Sequence, residues 1–255
     1  MTTSTASPKK IQAASGLFMT IFVTIHLVSH FFLNSSYERA DSIMMTLRRV
    51  YQNPIFEVLF YVAMISHFYA NYHTFQSRSK IAKLHHKNKN DDRNNIHSKN
   101  KHTQTTDHGE YELKGHRIAG YTLSLLVVAH VIAVRLVPLV FFDNAQGFDY
   151  SFAAMAIVVF RYQSLFKLYY IVLGMAGGWH LIYGVRSAMA TLRGRSVQGT
   201  TFPTPLKLLA SISHKLLISA VLALGKYATT TEWTEHQKEW HKQFFQLFGM
   251  QLTKP

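Results

Sequence analysis

The chain has 255 residues, a formal net charge of +14 and no cysteine. The missing thiols exclude disulfides, cysteine-ligated iron–sulfur clusters and c-type haem attachment. Its apolar residues lie in long blocks with the charge between them, which points to an all-α, multi-pass transmembrane helical bundle.

The N-terminal tail, residues 1–10 (MTTSTASPKK), is too short and plain for a cleaved amphipathic presequence, so any targeting is expected to be internal. Residues 11–33 carry no acidic or basic side chain and form the first expected span. Residues 54–76 form the second, interrupted only by Glu57. The segment 77–115 is rich in Lys, Asn and His and nearly free of apolar residues, and is expected to be a disordered basic loop. Its five histidines are irregularly spaced and show no metal-ligand pattern. Spans three and four follow at about 116–141 and 164–189. Segment 206–228 is a weaker fifth span, because Lys207, His214, Lys215 and Lys226 interrupt it. The tail, 229–255, places Trp233, Trp240, Phe244, Leu247 and Phe248 at helical steps among charged residues. That is an amphipathic helix, lying either in the membrane interface or back on the bundle.

Most Lys and Arg fall on the side shared by the N-terminus, the 77–115 loop and the 186–205 loop, called side A below. This asymmetry puts side A in the cytosol, or in the matrix for an inner mitochondrial membrane protein. The basic charge is read as topology and attraction to anionic lipid, not nucleic-acid binding. Inside the spans, Glu57, Arg135 and Lys167 lie where they can pair or snorkel. Nothing in the chain forms a paired-carboxylate or nucleophile arrangement, so a catalytic site is not expected.

Spans one and three repeat each other. Gly16 precedes His26 by ten positions, and Gly120 precedes His130 by the same ten. Spans two and four carry His67 and His180, so the spans read as two tandem helical hairpins. At ~1.5 Å of rise per residue, His26 shares its depth with His130 toward the far side, side B. His67 and His180 share theirs toward side A. Two facing imidazoles at one depth suit the axial positions of a six-coordinate haem b, and the chain has two such pairs. Gly16, Gly120, Gly174, Gly177, Gly178 and Gly184 would let a macrocycle approach the backbone. Arg117 and Arg186 stand on side A as partners for haem propionates. The alternative is that these histidines only hydrogen-bond between helices. His30 and His73, near span ends, are read as interfacial, and His116 as a border residue.

The stretches IHLVSHF around His26, ISHFYANY around His67, HRIAGYTLSLLVVAHV around His130 and YIVLGMAGGWHLIYG around His180 resemble the single-chain di-haem cytochrome b anchor subunits of succinate dehydrogenase and fumarate reductase. That resemblance implies haem ligation by the four histidines, first with third and second with fourth, with flavoprotein and iron–sulfur subunits as partners. The segments NPIFEVLFYVAMISH (53–67), GHRIAGYTLSLLVVAHVIAVRLVPL (115–139) and YYIVLGMAGGWHLIYGVRSAM (169–189) resemble more closely the fungal mitochondrial Mcp-type (Mdm-ten-complementing) proteins, over about residues 11–190. This second resemblance implies an outer-membrane protein of lipid homeostasis that docks a bridge-like lipid-transfer protein at organelle contacts. Such adaptors offer a Pro-x-Pro peptide. Here the sole instance is Pro203-Thr204-Pro205, which also reads as a helix boundary.

Overall fold

The computed structural model describes residues 7–92, 107–141, 150–158, 163–195, 203–230, 232–247 and 249. Among them there is no strand, and the chain is an all-α, multi-pass helical protein. The first long helix, α1 (Pro8–Phe31), begins on a proline whose missing N–H costs nothing at that position. It runs into a 3₁₀ turn, Phe32–Asn34. The second, α2 (Tyr37–Tyr51), is capped by Ser36, whose hydroxyl accepts from the Arg39 amide at 3.0 Å. Then come α3 (Pro54–Asp92) and α4 (Asp107–Val131). A π turn, Ile132–Leu136, joins α4 to the short α5 (Val137–Phe141). Pro138 lies just beyond the π turn and has no amide for an intrahelical bond, which favours an irregular ladder there.

The chain continues with α6 (Tyr150–Val158), α7 (Gln163–Leu192), α8 (Thr204–Thr230) and α9 (Glu235–Leu247). Gly194, at φ 68°, ends α7: the Arg195 amide returns to the Ala190 carbonyl at 2.8 Å and the Gly194 amide to Thr191 at 3.1 Å. α9 opens on a capping box, in which Thr234 and Gln237 each accept the other's amide.

Four segments are long and apolar enough to cross a membrane: Pro8–Asn34, Glu112–Phe141, Ser164–Leu192 and Thr204–Thr230. The weaker fifth span is thus among them, whereas α3 is not. Its first half carries Glu57, His67, Asn71 and His73, and these offset its apolar residues. Even so, α3 packs along α1 and turns an apolar stripe outward. Ile55, Val58, Val62, Ile65, Tyr69 and Tyr72 follow one another at steps of three and four, and each is more than half exposed. That pattern suits hydrocarbon outside and polar contacts inside. A similar stripe runs along α4, through Ile118, Tyr121, Leu125 and Val128.

The expected loop from residue 77 is corrected by the structure: α3 stays helical to Asp92 and α4 begins at Asp107. No proline or glycine interrupts 77–92, and its Arg, Lys, Ala and Leu are good helix formers. The expected disorder at 93–106 falls outside the described residues.

In the bundle, α1 packs between α3 and α7, α4 packs on the far side of α7, and α8 closes over α7. α3 and α4 make no extensive backbone contact among the described residues, so one side of the four-helix arrangement is open. A bidentate ion pair crosses that side. Arg135 Nε and Nη2 donate to the two Glu57 carboxylate oxygens at 2.6 and 2.7 Å, with the side chains 15% and 22% exposed. Toward side B, Leu33, Tyr37, Ala40, Met44, Tyr150, Ala154, Ala220 and Leu224 form a core joining α2, α6 and α8. The α9 tail packs back on this end, with the Phe244 ring 4.4 Å from Phe152 and His241 bonded to Ser151 at 3.2 Å.

The Glu57–Arg135 pair is charge-assisted and held in a fork, so a double-mutant cycle with Glu57→Gln and Arg135→Gln should give a coupling of about 2 kcal/mol in detergent unfolding. Additive effects of the two substitutions would show that the pair does not hold α3 to α4.

Candidate functional site

Between α1, α3, α4 and α7 lies a cavity of about 820 Å³ that reaches both histidine pairs. This is in the usual range for cofactor and ligand sites. The structure brings together the pairs expected from depth. The ring centres of His26 and His130 are 6.1 Å apart, and those of His67 and His180 are 6.3 Å apart. The members of each pair sit on diagonally opposed helices. Along α1, Gly16 marks the level of His67, so the pairs lie ten residues or about 15 Å apart in depth.

The side-A pair is seated by the first helix of each hairpin. His67 Nδ1 donates to the Gln12 carbonyl at 3.0 Å. A neutral imidazole that donates through Nδ1 keeps its lone pair on Nε2. Here the tautomer follows from the acceptor, since a carbonyl cannot donate. A Cβ added at Gly16 would stand 3.2 Å from His67 Cε1, and one at Gly120 would stand 3.1 Å from His180 Cε1. The repeat thus works across the hairpins, with each glycine making room for the histidine of the following span. His180 Nδ1 lies against Gly120 in the same way, with the backbone of His116, four residues before Gly120 as Gln12 is before Gly16, beside its ring. His116 stacks on His180 at 4.3 Å and 7°, and Tyr183 covers His116 at 4.6 Å. His116 is therefore part of the site wall.

The side-B pair is bound differently. His30 is not interfacial as its sequence position suggested: its Nε2 lies 3.2 Å from His26 Nε2, and its Nδ1 lies 2.7 Å from the Tyr150 hydroxyl. Tyr150, the first residue of α6, reaches over the end of α1, which is why the last residue but one of that helix is inside. Ser29 lies beside Tyr150, and its hydroxyl donates to the His26 carbonyl at 2.6 Å. Phe22 stacks beside His26 at 5.4 Å and 11°.

Of the two expected side-A cations, Arg117 lines the cavity mouth with Lys9, whereas Arg186 does not line it and stands half-buried. Its charge is felt by Tyr183. At side B the cavity is lined by Arg48, Tyr51 and Gln52 from α2. The sequence reading missed Arg48 as a site residue. Its signal is the spacing Tyr37, Ala40, Met44, Arg48, which continues the buried face of α2 one turn further.

One expectation for the glycines changes. Gly178 faces His214 and Leu217 of α8 and does not line the cavity, so its small size serves helix packing there. Gly174, beside Leu217, and Gly177, beside Leu27, still line the cavity, as does Gly184. Pro203 lies at the start of α8, its carbonyl accepting from the Leu206 and Lys207 amides at 3.0 and 3.2 Å. Pro205 stands in the first turn of that helix.

Two metal–nitrogen bonds of about 2 Å, with the two imidazole radii added, set ring centres about 6 Å apart. Both pairs have that separation, and they border one apolar cavity with cations at its two ends. Among the described residues no group of three or more metal-ligating side chains gathers. The histidines come in facing pairs, which is the donor set of bis-imidazole haem. Helix-to-helix hydrogen bonding, the other reading, accounts for the His67–Gln12 bond between α3 and α1 and the His30–Tyr150 bond between α1 and α6, but does not by itself call for rings facing each other at 6.1 and 6.3 Å.

Replacing a helical glycine by alanine ordinarily stabilises by about 1 kcal/mol. Gly177→Ala, with its nearest neighbour 3.9 Å from the added Cβ, should keep that gain in thermal melts in detergent. Gly16→Ala and Gly120→Ala should forfeit it, because the new methyl meets an imidazole. A full gain at Gly16 and Gly120 would contradict the seating described here.

Comparison with family models, with curated proteins and with solved structures finds no match for the chain.

Proposed function

We propose that this chain is a non-catalytic integral membrane protein of mitochondrial lipid homeostasis whose bundle holds up to two haem b groups. The observation that carries the haem part is the pair of histidine separations, 6.1 and 6.3 Å, across one cavity. His67 and His180 hold the side-A group, and α1 together with His130 holds the side-B group. Bound there, haem supplies a one-electron couple and a rigid apolar plate joining four helices.

The chain's own residues do the rest. Gln12 orients His67 and raises its basicity by accepting the Nδ1 proton, as groups behind metal-bound histidines commonly do. Arg117 and Lys9 at one mouth, and Arg48 at the other, neutralise carboxylates that reach the two surfaces. The apolar walls exclude water and keep the imidazoles neutral.

The adaptor role rests on the resemblance to Mcp-type proteins, and α3 supports it. At 39 residues this helix is about 58 Å long, nearly twice the ~30 Å hydrocarbon core. It offers a basic arm beyond side A, suited to anionic lipid surfaces and to a bridge-like lipid-transfer protein. In this reading the bundle sits in the mitochondrial outer membrane with side A in the cytosol. The Pro203–Pro205 peptide, exposed at the start of α8, is the candidate docking motif. The second reading is a haem-b anchor of a succinate dehydrogenase or fumarate reductase-type complex in the inner membrane, carrying electrons between flavoprotein and iron–sulfur subunits and quinone. The same histidine pairs favour it.

Two experiments test these readings. In purified protein, His67→Ala and His180→Ala should each remove the same component of the reduced-minus-oxidised spectrum, and His130→Ala should remove the other. A loss pattern that crosses these pairs sinks the assignment. In intact mitochondria, added protease should cut the segment between α3 and α4. Full protection until the outer membrane is opened would overturn the adaptor reading in favour of the inner-membrane anchor.

A further inference from the structure

We propose that the side-B site has two alternative axial histidines on α1, and that His30 is the better prepared of the two. This deepens the haem reading above and rests on it.

Ser29 is 1% exposed, and its hydroxyl donates to the His26 carbonyl. Tyr150 is itself 3% exposed, and its hydroxyl lies 2.7 Å from His30 Nδ1. A hydroxyl accepts as well as donates, so with His30 Nε2 given to a metal the ring proton sits on Nδ1 and Tyr150 accepts it. His26 Nε2 lies 3.2 Å from His30 Nε2. The other nitrogen of His26, Nδ1, is buried without a hydrogen-bond partner.

The ring with a hydrogen-bonding group behind its second nitrogen is thus His30. Histidines that bind metals almost always have such a support on the second nitrogen. At side A the support is the Gln12 carbonyl behind His67, and at side B the Tyr150 hydroxyl behind His30 plays that part. His26 and His30 are four residues apart on one helix face, the spacing at which two imidazoles reach a single metal position. His130 lies across the cavity within electrostatic reach of both. One coordination position opposite His130 is therefore served by two rings, whereas the side-A position on α3 has His67 alone.

Titration of the haem-free protein with hemin, in detergent or nanodiscs, tests this. Wild type should take up about two hemin per chain with low-spin, bis-imidazole spectra. His26→Ala and His30→Ala should each still take up about two, with a shifted side-B component. The double variant His26→Ala/His30→Ala should fall to about one, as His130→Ala does. The side-A component, retained in every one of these variants, reports that the bundle has folded. Tyr150→Phe should weaken side-B hemin binding by about 10–100-fold in the His26→Ala background, where His30 is the remaining ring. If His26→Ala alone falls to one hemin, or Tyr150→Phe has no effect in that background, the inference is overturned while the two-haem reading stands. If wild type takes up none, both fall.

Discussion

An imidazole inside a bilayer has no water to complete its hydrogen bonds, and the arrangement of this bundle turns on how its facing rings are seated. His26, His67, His130 and His180 sit on four helices and look into one cavity. Each glycine of the Gly-x9-His repeat gives up its own side chain so that the imidazole from the next span can lie flat against the helix. The pairing across diagonals leaves space at the centre. Direct contact between α3 and α4 is replaced by the Glu57–Arg135 fork at the rim.

The two ends of the cavity solve the same problem by different means. At side A the support comes from backbone, the Gln12 carbonyl one turn before Gly16. At side B it comes from side chains outside the repeat: Tyr150 of α6, Ser29 of α1 and Arg48 of α2. These belong to the part of the fold where α2, α6 and α8 build a conventional apolar core. A hairpin duplication explains the histidines, while the added helices explain why the duplicated sites are not equivalent. The cavity therefore joins one site fixed by main chain to one that side-chain rearrangement can alter.

The histidine pairs were legible in the sequence because depth along a membrane helix is a count of residues, and an internal repeat makes the count comparable between spans. Helical rise alone placed His26 with His130 and His67 with His180. His30 and Arg48 were not legible in that way. His30 counts as a span-end residue, and it is Tyr150, at the start of α6, that covers it from that end. Arg48 lies in an amphipathic segment between spans, and its inward direction depends on which face of α2 meets the core. The extension of α3 past residue 77 was hidden by composition, since charged and amide side chains are compatible with both an exposed helix and a loop. The ranking of α3 and α8 as spans reversed for a related reason. α3 spends its inward face on polar site residues and so lowers its own average, while Lys207 and Lys226 of α8 lie near its ends, where they can reach an interface.

The central claim is that the facing histidines hold haem iron. Quantifying haem b per chain in protein purified from its native membrane, by alkaline pyridine haemochrome, tests it most directly. The account predicts about two haem b per chain in wild type and about one after His67→Ala. Well-folded, monodisperse wild-type protein carrying no haem b would contradict it.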